Sequence, residues 1–132
     1  MLLRRLFLCT ALAIMPGIAG CLAVAVGAGA AAGVGTYAYV TGKLTSTVDA
    51  PLDRTFDATT KALETMGFNP VSTDRDAFQG RFVSKMADDT EVKVDLAKKT
   101  ETSTEVSIRV GTFGDEKQSV AILDEIKKNL NL

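Results

Sequence analysis

Histidine is absent from the 132-residue chain, and so is tryptophan. The first absence removes the commonest general base and the commonest metal ligand at neutral pH. It also leaves no base for the usual Ser–His–Asp triad. Aromatic residues make up only 6% of the chain. Lys98-Lys99 and Lys127-Lys128 are pairs rather than patches and are not interleaved with aromatic rings, so nucleic acid is not expected as a partner. Fifteen basic side chains face sixteen acidic ones, a net charge of −1 that calls for no polyanion. Cysteine occurs twice, at Cys9 and Cys21. What remains is a 46% hydrophobic composition at a length that suits one domain with one core.

The N-terminus carries the clearest signal. Arg4 and Arg5 form a short positive region, and Leu6 to Ile14 form an apolar run. Pro16 and Gly17 break that run, as a cleavage region needs. Ile18-Ala19-Gly20-Cys21 follows and resembles the bacterial lipobox. Small side chains before the cut let the peptide lie extended in a narrow protease site. A cysteine thiolate is the nucleophile that accepts a diacylglyceryl group as a thioether. The resemblance implies lipidation of Cys21, cleavage between Gly20 and Cys21, and acylation of the new amine. One acyl chain attaches marginally, whereas two or three make a stable anchor. The alternatives are an uncleaved anchor or an ordinary secretory signal, which the large Ile18 suits less well.

On the lipoprotein reading, residues 1–20 are a signal peptide. Cys9 leaves with it and Cys21 is blocked by lipid, so neither a disulfide nor a cysteine nucleophile is expected. Removing Arg4 and Arg5 from the 15 basic side chains leaves 13 against 16 acidic ones, a net charge of −3. Leu22 follows the cysteine. In two-membrane bacteria Asp at that position favours inner-membrane retention, so Leu22 implies the outer membrane, facing the periplasm.

Residues 21–35 form an uncharged Ala/Gly-rich, membrane-proximal segment. Gly29 and Gly33 are four apart, as are Ala28 and Ala32, a spacing that permits close helix packing in a bilayer. A membrane-dipping helix that self-assembles through Gly29 and Gly33 would place Tyr37 and Tyr39 at the membrane interface. The competing reading is a low-complexity spacer or surface-lying helix, because the stretch is shorter than the roughly 20 residues of a span. The glycines miss the GxGxxG spacing, and Gly42-Lys43 lacks the remainder of a phosphate loop.

Residues 36–132 read as an α+β domain in the order ββ-α-ββββ-α. Thr36 to Val40 and Lys43 to Val48 flank Thr41-Gly42, which suggests a hairpin. Pro51 suits the first turn of a helix whose inner face is Leu52, Phe56, Thr59, Leu63 and Met66. Gly67 and Asn69-Pro70 end it. A short strand is expected around Val71 to Thr73. Three alternating strands follow, with Phe78, Gly80, Phe82, Ser84 and Met86, then Val92, Val94 and Leu96, then Val106, Ile108 and Val110 on the buried face. Asp88-Asp89 and Lys98 to Thr102 are the expected turns. Asp115 should cap a last helix, with Gln118 as its reciprocal partner and Val120, Leu123, Ile126 and Leu130 facing inward. The expected architecture is a two-layer sandwich of an antiparallel sheet with both helices on one face.

The Gly/Ala stretch running into Thr36-Tyr37-Ala38-Tyr39-Val40, together with Leu52 to Phe56 and Ile108 to Asp115, resembles a family of small bacterial lipoproteins built on a domain of unknown function. That resemblance implies location and fold and brings no activity. Nothing in the chain calls for a cofactor. Asp53 and Asp57 read as a solvated helix face, with Asp57 and Lys61 as an i,i+4 pair. Asp74 and Asp76 read as turn residues without the glycine and distal glutamate of a calcium loop, and Asp88, Asp89 and Glu91 as an exposed turn between strands in preference to a weak divalent-cation site. Phe113, between Gly111 and Gly114, is either an exposed recognition residue or, as the preferred expectation, tucked beneath the last helix while the glycines take positive φ.

The leading expectation is a non-catalytic envelope lipoprotein, anchored by lipid, with a structural role or an envelope protein partner. The alternatives are an apolar-ligand module near Phe56, Phe82 and Phe113, and self-assembly through the Ala/Gly segment.

Overall fold

A computed structural model describes residues 37–132. Strand β1 (Tyr37–Val40) and strand β2 (Lys43–Val48) form an antiparallel hairpin. Its central residues Thr41 and Gly42 have φ of 50° and 79°. Positive φ at both positions is what a two-residue type I′ turn requires, and it matches the strand twist.

Helix α1 spans Leu52–Thr65. Pro51 stands at the N-cap, with φ −58° and ψ 154°, rather than at the first helical position. Its carbonyl accepts the first helical bond, from the Thr55 N–H at 3.0 Å. Having no N–H of its own, it adds no orphan donor. The helix closes as expected at Gly67. The Phe68 N–H donates to the Leu63 carbonyl and the Gly67 N–H to that of Glu64, both at 3.0 Å, a Schellman closure.

Strands β3 (Asn69–Arg75), β4 (Gln79–Lys85), β5 (Glu91–Thr100) and β6 (Ser103–Val110) precede helix α2 (Glu116–Leu130). The sheet order is β1-β2-β6-β5-β4-β3, with every neighbouring pair antiparallel. One sheet face carries Leu44, Val48, Phe82, Val92, Val94, Leu96, Val106, Ile108 and Val110, all buried. Against it α1 sets Leu52, Ala58, Ala62 and Leu63, and α2 sets Ile122, Leu123, Ile126 and Leu130. The α+β sandwich expected from the period-2 and period-3.6 patterns is therefore the architecture of the described residues.

Local departures have identifiable causes. Strand β3 is seven residues long and exposed throughout, because it is a sheet edge and carries no alternating pattern. A register shift between Pro70 and Ser72 interrupts it, which blunts an open edge. Strand β5 continues through Lys98 to Thr100, so the turn is confined to Glu101-Thr102. Phe78 does not join the buried face of β4 and is 71% exposed. The Asp76 carboxylate accepts the N–H groups of Phe78 and Gln79, at 2.7 and 2.9 Å, and so holds Phe78 in the turn. In α2, Ile122 is fully buried and Val120 only half-buried, a rotation of the inner face from the one expected.

Five residues join α1 to strands β3 and β4. A Cβ at Gly80 would lie 2.8 Å from Cδ2 of Phe56, so the bare backbone there makes room for the ring. Phe56 packs on Phe82 with ring centroids 4.6 Å apart. The Arg75 guanidinium lies 4.7 Å from the Phe56 centroid and pairs with Asp53. Asp53 is thus engaged rather than merely solvated. The expected Asp57–Lys61 pair is not among the ion pairs of the described residues.

Candidate functional site

Two turns meet at one end of the sheet. The β1–β2 turn presses its Gly42 against the β6–α2 loop at Phe113-Gly114. A Cβ built at Gly42 would stand 2.3 Å from the Phe113 carbonyl oxygen, and one at Gly114 would stand 2.3 Å from Gly42 Cα. Both glycines have φ near +80°. Only a residue without Cβ allows two backbones to approach so closely at this φ. The loop is held on its other side by Arg109, whose guanidinium donates to the Thr112 carbonyl at 3.0 Å. Beyond it, the Asp115 carboxylate accepts the Gln118 N–H at 3.0 Å and starts α2 as expected.

Between these fixings Phe113 projects into solvent, 92% exposed. The preferred expectation, a ring tucked beneath α2, is corrected. Gly111 and Gly114 do take positive φ, at 69° and 81°. It is the Phe113 carbonyl, not the ring, that meets Gly42. Val40 flanks the adjoining hairpin turn opposite Lys43 and is 65% exposed.

The outer face of the sheet is polar and mostly self-paired. Asp74, Arg81, Asp95, Ser107 and Thr45 are consecutive cross-strand neighbours from β3 to β2. The Arg81 guanidinium donates to Asp95 at 2.7 Å, and this hydrogen bond and charge hold its pKa above the ordinary arginine value. Ser107 is buried on this outer face, 3.4 Å from the Thr45 hydroxyl oxygen. Lys93 pairs with Glu91 at 2.9 Å and Lys99 with Glu105 at 3.0 Å. Tyr37 ties β1 to α2 by donating its hydroxyl to Glu116 at 3.2 Å. Partial burial, then the Glu116 carboxylate, raises its pKa above the ordinary phenol value.

Near Phe113 the pattern changes. Lys43, Lys93 and Arg109 line a groove of about 860 Å³ together with the carboxylates of Asp89, Glu91 and Asp95. Lys93 and Arg109 are directly opposed across β5 and β6. Lys43 precedes the Leu44–Ile108 pair and so adjoins Arg109. Like charges opposed across strands disfavour pairing. Among the described residues neither Lys43 nor Arg109 has a carboxylate partner.

The family whose profile matches residues 4–129 is described as a protein of unknown function, DUF3568. The chain belongs to this family. The DUF3568 match runs from the positively charged start, through the Ala/Gly stretch, to the last turn of α2. No curated protein matches the chain.

Several residues singled out in the sequence lie outside the described part of this DUF3568 chain: Gly20, Cys21, Gly29 and Gly33. Phe56 and Phe82 are brought together, while Phe113 stands apart in solvent, so the three do not line one cleft. Asp76 and Asp88 serve as turn acceptors. The Phe78 N–H, then the Gln79 side chain, lowers the pKa of Asp76 below the ordinary carboxylate value. The Thr90 hydroxyl, then its N–H, does the same for Asp88. Among the described residues no group of three His, Cys, Asp or Glu could hold a metal ion, and no helix is long and apolar enough to cross a membrane. The unpaired Lys43–Arg109 juxtaposition is the feature that sequence reading missed, because it is set by the β2–β6 register rather than by neighbours in the chain.

Proposed function

We propose that the chain is a bacterial envelope lipoprotein, anchored to the membrane through lipid on Cys21, whose small α+β domain has a non-catalytic structural or protein-binding role. The observation that carries this reading is Ile18-Ala19-Gly20-Cys21, standing behind Arg4-Arg5 and an apolar run. The family match beginning at residue 4 supports it, because the leader lies within sequence shared by the family. Leu22 after the cysteine favours the outer membrane, facing the periplasm.

A binding role is supported by the way the outer sheet face spends its charges. Its carboxylates are mostly paired with cations or used as turn acceptors, which leaves few groups for acid–base work. A rigidly held, exposed phenylalanine is a feature of recognition surfaces rather than of reaction centres. Self-association through Gly29 and Gly33 is a second reading, favoured by their four-residue spacing within an uncharged stretch.

The test is metabolic labelling with palmitate in a cell envelope background. Label is expected on the wild-type chain and not on Cys21→Ala. Retained label on Cys21→Ala, or an unlabelled mature chain, overturns the anchor.

A further inference from the structure

We propose that the outer face of the sheet is the contact surface of a homodimer, in which the corner holding Lys43 and Arg109 meets the corner holding Asp74 and Asp76 of a second copy, twice about a twofold axis. The proposal concerns the folded domain and holds with or without a lipid on Cys21.

The first support is that this face has no second layer among the described residues. Both helices pack on the opposite face. Residues opposed across antiparallel strands point the same way. One outward row is therefore Val40, Lys43, Arg109, Lys93 and Val83, and the next is Ala38, Thr45, Ser107, Asp95, Arg81 and Asp74.

The second support is charge. The half of the face nearer the β1–β2 and β4–β5 turns holds Lys43, Lys85, Lys93 and Arg109 against Glu91 and Asp89, four cations to two carboxylates, a net charge of +2. Asp88, bonded to Thr90 in the same turn, still leaves that half positive. The other half holds Arg81 and Lys99 against Asp74, Asp76, Asp95 and Glu105, a net charge of −2. Arg75 borders that half, but its guanidinium lies over Phe56 and pairs with Asp53 on the helix side. Lys98 and Glu101 pair with each other at the β5–β6 turn.

Several of these charges are already matched within the chain: Lys93 with Glu91, Arg81 with Asp95 and Lys99 with Glu105. Lys85 and Asp89 offset one another in the first half. That leaves Lys43 and Arg109 at one corner, without a carboxylate partner among the described residues. At the other corner Asp74 has no ion pair among them, and the Asp76 carboxylate accepts only neutral donors. The two corners are diagonal. Lys43 on β2 and Asp74 on β3 are four strand spacings apart, ~19 Å. Asp76 adjoins Gln79, whose row runs through Ala97 and Glu105 to Thr47, at the end of β2 away from Lys43. A twofold axis between two such faces exchanges the corners, so each pair of cations meets a pair of carboxylates. A partner of uniform charge would match one half and be repelled by the other.

The third support is size and relief. Six strands at ~4.8 Å spacing and about seven residues of length give a face of ~24 by ~23 Å. Two copies would bury ~1,100 Å², just above the ≈1,000 Å² of a specific interface. Grooves of about 550 and 860 Å³ cross the face, with Lys43 and Asp95 bordering both, and they can receive projecting side chains of a twin. Val40 and the half-buried Val83 add apolar contact. A face this small and this charged gives a weak, salt-sensitive dimer.

Charge exchange tests it. The full chain is purified in a neutral detergent, and native mass spectrometry over a concentration series reads the monomer–dimer ratio. Wild type should dimerise, and Lys43→Glu or Asp74→Lys should each raise the dissociation constant by about tenfold or more, since each sets like charges together twice. Both substitutions on one chain should restore the dimer. Mixing the two single variants should give heterodimers in preference to either homodimer. Raising ammonium acetate from ~0.05 to ~0.5 M should weaken the wild-type dimer by screening. A wild-type chain that stays monomeric up to ~100 μM, above the micromolar end of interface affinities, overturns the proposal. So does a monomer that carries another molecule in place of a twin. A dimer indifferent to both single variants, or one weakened by them without rescue, associates elsewhere and overturns it as well. None of these outcomes bears on palmitate labelling at Cys21.

Discussion

Gly42→Ala tests the contact on which the Phe113 loop depends, and Gly67→Ala supplies its control. Both glycines have positive φ, 79° and 73°. They differ in surroundings: the new Cβ at Gly42 meets the Phe113 carbonyl oxygen at 2.3 Å, while at Gly67 nothing lies within 4 Å. Forcing an alanine into left-handed backbone costs roughly 1–2 kcal/mol at either site. Alanine also lowers the entropy of the unfolded chain, which returns up to about 1 kcal/mol equally in both cases. The difference between the variants therefore isolates the clash. That clash is with backbone, so a turn must shift, an overpacking cost of about 1–3 kcal/mol. For a domain of this size, 1 kcal/mol moves the melting temperature by about 4–8 °C. Gly42→Ala should thus melt on the order of 10 °C below Gly67→Ala, with an unchanged denaturant slope. Gly114→Ala should cost about as much as Gly42→Ala, and the double variant less than the sum, since one contact is lost once. Equal melting of Gly42→Ala and Gly67→Ala would refute the packed-turn argument.

Further predictions follow from other contacts. Asp115→Ala removes the α2 cap and should cost about 1 kcal/mol by urea denaturation, with Asp115→Asn closer to wild type. Arg75→Met keeps the bulk but loses the charge over Phe56 and the Asp53 pair, and should cost about 0.5–1 kcal/mol. The effect should be absent in an Asp53→Asn/Phe56→Leu background. Asp76 and Asp88 titrate lower in the folded than in the unfolded chain, so each contributes stability above the ordinary carboxylate pKa that is lost as pH falls through the folded value. Melting curves of Asp76→Asn should show a shallower acid limb than wild type; an identical limb would discount Asp76 as a source of acid sensitivity.

The strands that sequence reading placed well, β2 and β4 to β6, each have one buried face, so burial imposes a period of two on residue type. Strand β3 was legible only as a short segment because both its faces are exposed and no alternation is selected. Phe78 follows the apolar alternation of β4 yet sits outside it. The Asp76 side chain, two residues back, competes for its backbone, and that is a signal the sequence did contain. The inner face of α2 was read through Val120 rather than Ile122, since both fit a helical stripe and only the packing angle against the sheet chooses. The exposure of Phe113 is not legible for a different reason. Its loop packs against Gly42 in the first hairpin, and no pattern local to Gly111 to Asp115 reports on that contact.

The exposure of Phe113 bears on function. A chain that needed only to connect β6 to α2 would gain by placing a polar residue at position 113. Keeping a phenylalanine in water instead forgoes the 1.5–3 kcal/mol, roughly, that burying such a ring can contribute. The surrounding structure does not relax this arrangement but enforces it, through two glycines whose replacement forces backbones apart and an arginine spent on a loop carbonyl. The same end also opposes Lys93 and Arg109 across neighbouring strands, a second local cost, while elsewhere on that face the cross-strand neighbours Arg81 and Asp95 are of opposite charge. Two departures from local preference, one apolar and one electrostatic, thus lie at one end of the sheet. In a chain whose local and global preferences otherwise agree, departures of this kind are expected where a surface serves binding rather than folding.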